Sequence, residues 1–102
     1  MIHVIATVNT KPGCRDKYLE ILKGNVSNVK GEAGCLVYEP TIDMKTDIEI
    51  HQKTGDDAVT IVEAWDRVES LKAHFQQPHM LSYREKAKDL IESVSILVLQ
   101  PA

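Results

Sequence analysis

The first nine residues, MIHVIATVN, carry apolar and largely β-branched side chains at nearly every position. Such a run reads as a strand buried on both faces. This constrains the chain more than any other feature, because a strand with two buried faces needs cover on both sides. The chain has 102 residues, and residues 1–102 are expected to form one domain. A domain of this size buries only about two-thirds of the surface its unfolded form exposes. Its core is modest, and a partner subunit would help to cover the strand.

The rest of the chain shows what that layer is. Lys11-Pro12-Gly13 breaks the first strand. From Cys14 to Lys30 the period changes, and Tyr18, Ile21, Leu22, Val26 and Val29 recur at the spacing of an amphipathic helix. Gly31 and Gly34 mark its exit. Cys35 to Glu39 reads as a second strand ending near Pro40. Thr46 to Gln52 alternates polar and apolar side chains, the pattern of a half-exposed strand, and is expected to form a hairpin with Val59 to Trp65 across the turn Thr54-Gly55-Asp56-Asp57. Asp66, with Glu69 three residues on, reads as a capping box for the next helix, whose stripe is Val68, Leu71 and Phe75. Pro78 suits the first turn of a further helix, where its missing N–H costs nothing. Met80, Tyr83, Ala87, Leu90 and Ile91 continue at helical spacing, and Val94 to Leu99 is the last strand.

The order predicts an α+β fold, a ferredoxin-like βαββαβ antiparallel sheet with its helices on one face. The other face stays apolar, and a second copy would hide it, so a homodimer is expected. Composition excludes several alternatives. A hydrophobic content of 43% with 26% charged residues is that of an ordinary globular chain, not of a disordered one. The net charge of −3 argues against a nucleic-acid binder. No apolar run approaches the roughly 20 residues of a membrane helix, and the start lacks the basic-then-apolar order of a secretory signal. Cys14 and Cys35 are too few for a disulfide scaffold or a zinc module. A cytoplasmic setting is expected.

Several side chains could carry chemistry. His79 follows Pro78 at a helix start, where the positive dipole end disfavours its charged form; it is either a neutral base or a tie for the helix end. His74 closes the preceding helix, where the dipole favours the charged form, and it either caps the last carbonyls or serves the same site. Their spacing is not that of a helical metal pair, and no metal is expected. Glu63 and Trp65 alternate on one strand and face the same side as Ile61. Glu63 is then a pocket carboxylate or a hydrogen-bonded structural one, and Trp65 is a core residue or the flank of a flat ligand. Asn9 ends the first strand, where a turn role is the plain reading. Glu49 and His51 share a strand face without a third ligand, and Cys14 at a helix start is an inert or a reactive thiol. The mixed charges of Arg84 to Asp89 read as a solvated face.

Taken together, Pro12-Gly13, Glu32-x-Gly34-Cys35-Leu36-x-Tyr38, Glu63-x-Trp65, Leu71-x-x-His74 and Pro78-His79 resemble the antibiotic biosynthesis monooxygenase family of small dimeric α+β barrel proteins. The resemblance runs over nearly the whole chain. It implies a ferredoxin-like homodimer with a pocket between sheet and helices in each subunit. The family includes cofactor-free oxygenases of quinols and polyketide phenols, haem-degrading enzymes and an isomerase of a phosphorylated signal. In the haem-degrading branch a strand-one Asn, a Trp and a helix His act together, which makes Asn9, Trp65 and His79 or His74 candidates here.

The expectation is therefore a monooxygenase of a small phenolic or quinol-like compound that uses O₂ and needs no cofactor. His79 or His74 would be the base. Glu63 would be a further catalytic group, and Trp65, Asn9 and Tyr38 would contact substrate. The rival expectations are a proton-transfer isomerase acting on a small carbonyl signal molecule, a haem-degrading monooxygenase, and a ligand-binding dimer without catalysis.

Overall fold

A computed structural model describes residues 1–102. The elements are β1 (Ile2–Thr10), α1 (Arg15–Lys30), β2 (Cys35–Thr41), β3 (Ala58–Trp65), α2 (Val68–His74), α3 (Pro78–Ala87), a short 3₁₀ turn (Lys88–Leu90) and β4 (Ile91–Leu99). The four strands form one antiparallel sheet in the order β2-β3-β1-β4. This is the predicted ferredoxin-like α+β arrangement.

The helices lie on one face of the sheet. Val4, Ala6 and Val8 of β1 pack there against Tyr18, Leu22 and Val29 of α1, Leu71 of α2, and Met80, Tyr83 and Ala87 of α3. The stripe read from α1 is thus the stripe that is buried, with Ile21 and Val26 at its half-buried margin. Pro78 opens α3 after an extended Gln77, as its fixed φ favours.

Three local expectations are not met within the single chain. The first concerns β1. It is buried on one face only, with Val4, Ala6, Val8 and Thr10 inside and Ile5, Thr7 and Asn9 half-buried. All the helices cover one side, so within one chain the opposite face has nothing on it. That open face continues onto β4, where Leu97 and Leu99 are 59% and 45% exposed.

The second is the strand over Thr46 to Gln52, which does not form. β3 already pairs with β1 on one edge and with β2 on the other, Tyr38 standing opposite Glu63. No edge is left for a further strand beside β3, and the hairpin is β2–β3. Residues 42–57 form an irregular connection held by Asp43, whose carboxylate accepts the N–H groups of Thr54 and Gly55 at 2.7 and 3.0 Å and the Thr54 hydroxyl at 2.7 Å. Its alternating pattern leaves Ile48 and Ile50 in solvent.

The third is the Asp66–Glu69 capping box. The N-cap of α2 is Arg67, without a side-chain cap bond. Asp66 instead accepts the Ser70 hydroxyl, one turn on. Its backbone N–H donates to Gly34 O at 2.9 Å. Gly34 has φ +85°, and a Cβ there would collide with the Asp66 and Ser70 side chains. Only glycine meets both demands, so this residue fixes how closely the start of β2 approaches α2.

Candidate active site

Strand alternation places Ile61, Glu63 and Trp65 on the helix-facing side of β3, and the β2–β3 register sets Tyr38 beside Glu63. Glu63 is 5% exposed. Burial raises its pKa to about 7 and the negative Glu32 adds to the rise, while the hydrogen bond from Trp65 Nε1–H to Oε1 (3.0 Å) pulls it back. Near neutrality this carboxyl is divided between its acid and its anion. Burial also holds the Tyr38 hydroxyl far above its ordinary range, so Tyr38 stays a neutral phenol.

The break between α2 and α3 supplies the second half of the site. α2 ends at His74, the chain turns through Phe75 to Gln77, and α3 begins at Pro78. His74 and His79 therefore flank one elbow and converge on a single acceptor, Glu32. Glu32 sits in the short turn between α1 and β2, where its backbone N–H donates to Val29 O at 2.9 Å. His74 Nδ1 lies 2.9 Å from Glu32 Oε2 and 3.2 Å from Oε1. His79 Nε2 lies 2.8 Å from Oε2.

Glu32 fixes the tautomer of His74, since Nδ1 donates to the carboxylate and Nε2 is left as the free acceptor. No buried side-chain nitrogen lacks a partner, and Nε2 makes no protein hydrogen bond. That nitrogen therefore keeps some solvent contact. Burial lowers the His74 pKa although the carboxylate beside it works the other way. The helix dipole favours the charged form, as the sequence suggests, but desolvation outweighs it here.

The cavity has a volume of about 250 Å³. Val4, Ala6, Val8, Ile61, Phe75 and Met80 make its apolar wall, and Ile91, Val94 and Ile96 its outer side. Tyr38, Glu63, His74, Tyr83 and Arg84 are its polar groups. The Tyr18 and Tyr83 hydroxyls share a hydrogen bond in the core. No three His, Cys, Asp or Glu side chains are arranged to hold a metal ion. The chemistry available is proton transfer in an apolar enclosure, with a neutral imidazole and a carboxyl poised near pH 7.

Of the residues singled out from sequence, His74, Glu63 and Tyr38 meet in this cavity. Trp65 stands behind it, fully buried, its ring 4.9 Å from that of His74. It orients Glu63 and backs His74 and does not itself line the cavity. His79 lines a different space, a polar groove between α1 and α3. Asn9 belongs to neither. It pairs with Ala58 at the other end of β1 from the Ile2–Trp65 pair, and its amide donates to the Ser93 hydroxyl at 3.1 Å. The haem-branch trio of Asn9, Trp65 and a histidine is thus not brought together, and the residues present do not fit that use.

Sequence reasoning assigns no site role to Glu32, Tyr83 or Arg84. Arg84 borders the cavity and anchors its guanidinium on the Phe75 and Met80 carbonyls. The signals for Glu32 are its place at the head of the Glu32-x-Gly34 motif and a carboxylate in a tight turn between Gly31 and Gly34.

An antiparallel sheet roofed by helices over an apolar, imidazole-lined cavity defines a class of small-molecule-binding α+β domains. Residues 1–86 match the profile of the antibiotic biosynthesis monooxygenase family, and the chain belongs to that family. It is 34% identical over 103 residues to the probable quinol monooxygenase YgiN of Escherichia coli K12, covering 99% of this chain and 98% of that one. Among solved structures, PA3566 from Pseudomonas aeruginosa superposes with a TM-score of 0.82 at 24% identity, covering 99% of this chain and 93% of that one. Rv0793 from Mycobacterium tuberculosis gives 0.80 at 22%, covering 99% and 94%. At these identities the two structures speak to the fold alone.

Proposed function

We propose that the protein is a cofactor-independent monooxygenase of a small phenolic or quinol-like compound, with His74 as its base. The observation that carries this reading is the His74 imidazole, held at Nδ1 by Glu32, without a protein hydrogen bond at Nε2, and lining an apolar cavity together with Glu63. The family membership and the likeness to YgiN support the reaction class.

His74 Nε2 takes the proton of the substrate hydroxyl, and the anion left behind is electron-rich enough to donate to O₂. In the balanced reaction one oxygen atom enters the ring as a carbonyl, and the other leaves as water with two hydrogens of the substrate. Glu63 in its acid form hydrogen-bonds the developing oxyanion and returns a proton to the peroxide. The apolar wall keeps water from quenching the anion. Trp65 is a positioning residue for Glu63, and Tyr38 contacts the substrate as a neutral donor.

The working unit in this reading is a homodimer, with the second copy covering the open face of β1 and β4. The half-buried Ile5 and the exposed Leu97 and Leu99 support it. The two unpaired thiols, Cys14 and Cys35, suit a reducing cytoplasm. No helix is long and apolar enough to cross a membrane.

An oxygen electrode with a panel of quinols and naphthols tests the proposal. Uptake is expected with the wild type and a fall of about 10²–10⁴-fold in His74→Gln, the range a general base supplies. Equal uptake by both proteins would overturn it. The proton-transfer reading uses the same pair, His74 with a carboxyl that titrates near 7. It predicts exchange of a substrate C–H for deuterium without oxygen, and the two readings part on that measurement.

A further inference from the structure

The imidazole–carboxylate cluster touches two separate spaces. His74 lines the inner apolar cavity. His79 lines the outer groove, about 380 Å³ and bordered by Glu20, Asn25, Asn28 and Lys86. One carboxylate stands between the rings, with Glu32 Oε2 at 2.9 Å from one and 2.8 Å from the other. The side chains of His74 and Glu32 are 3% and 5% exposed, and that of His79 is 22% exposed. Both salt-bridge partners of Glu32 are histidines, so an imidazolium is the cation that can neutralise it in place.

We propose that His79 compensates the charge of the site, releasing its own proton to the outer groove when His74 takes one from the inner cavity. Glu32 is the fixed anion between them. This rests on the reading of His74 as base. With His74 neutral, Glu32 ionised and a proton on His79, the cluster has no net charge. The substrate O–H proton moves to His74 Nε2, and Nδ1–H stays on Glu32. His79 then loses its Nδ1 proton to water in the groove and keeps Nε2–H on Oε2. One proton enters, one leaves, the cluster is again neutral and no electrons move. The reverse sequence restores a proton when the product forms.

Passage of a proton through Glu32 itself is disfavoured, because both facing nitrogens already donate to the same oxygen and neither can accept there. Other charged or titratable groups surround the cluster: Glu63 and Cys35 on the sheet side, Arg84 on α3, and Glu20 and Lys86 at the groove rim. None of these touches the carboxylate. His79 both touches it and reaches water. If His79 kept its proton, protonating His74 would add an unbalanced charge to an apolar interior. His79 is therefore a positioning and charge-balancing residue, and His74 the catalytic one.

A titration of ¹⁵N-histidine-labelled protein by NMR tests this without substrate, so it decides the proposal even if no oxygen uptake is ever found. In His79→Gln the cationic neighbour is gone and Glu32 remains, so the protonation midpoint of His74 should rise by about one pH unit. In Glu32→Gln the midpoints of both rings should fall. A purely structural role for His79 leaves the His74 midpoint where it is, and an unchanged midpoint in His79→Gln overturns the proposal. His79→Asn serves as the second variant should the glutamine protein not fold, and the same shift is required of it.

Discussion

The elbow between α2 and α3 and the connection over residues 42–57 look alike as sequence. Each interleaves histidine, charged and apolar side chains at short spacing. In the structure they are opposites. At the elbow His74 is 2% exposed, and its imidazole is fixed by a carboxylate 42 residues away. In the connection Ile50 is 93% exposed, and the chain is held by polar bonds from Asp43. Local pattern does not separate the two. What separates them is whether another element is in place to pack on them. The sheet offers Trp65 and Tyr38 to the elbow, and it has no free edge beside β3 for the connection.

The largest effect expected from breaking this contrast is at the elbow. Trp65→Ala removes the fully buried wall behind His74 and should cost about 3–5 kcal/mol of unfolding free energy, read by urea denaturation. A cost under about 1 kcal/mol would mean that the elbow is no better packed than the connection.

The second effect sharpens the electrostatic side of the comparison. Glu63 is raised to about 7 in the folded state. The folded protein therefore keeps a proton that the unfolded chain releases in the ordinary carboxylate range. Stability from the neutral carboxyl is complete below that range and is lost as pH rises through about 7. Glu63→Gln cannot ionise, so its stability relative to wild type should increase by roughly 2–3 kcal/mol between about pH 4.5 and about pH 7.5. A difference that stays flat over that interval would show that Glu63 titrates as an exposed acid does.

The smallest effect belongs to the connection. Ile50→Ser should leave the stability of the isolated subunit within about 0.5 kcal/mol, because little surface returns to water. A larger loss at micromolar concentration that disappears on dilution would show that Ile50 is covered in an assembly.

The elements that could be read from sequence are those whose cause is local. The stripe of Tyr18, Leu22 and Val29, the break at Pro78 and the alternation of Ile61, Glu63 and Trp65 follow from periodicity and from the missing proline N–H. Tertiary causes stayed hidden. Glu32 is important because folding closes gaps of 42 and 47 residues to its two histidines, and no spacing within the chain signals that. Arg84 reads as solvated because its neighbours in sequence are charged; it is exposed, and it also borders the cavity. The family resemblance places Asn9 in the site, whereas its register sets it at the far end of β1. Asp66 has the right residue type for a cap, but its carboxylate is engaged by Ser70.

The sheet ends at β4, a nine-residue border strand with Val94, Ile96 and Val98 exposed on one side and Leu97 and Leu99 on the other. Its outer row of backbone donors and acceptors has no neighbour within the chain. Such a margin is a template for endless stacking of like chains into fibres, and natural proteins blunt it with charge, bulges or cover. None of the residues from Val94 to Leu99 carries a charge. Any attempt to prepare lone subunits by weakening contacts elsewhere should therefore yield precipitate unless a lysine is first placed on this border.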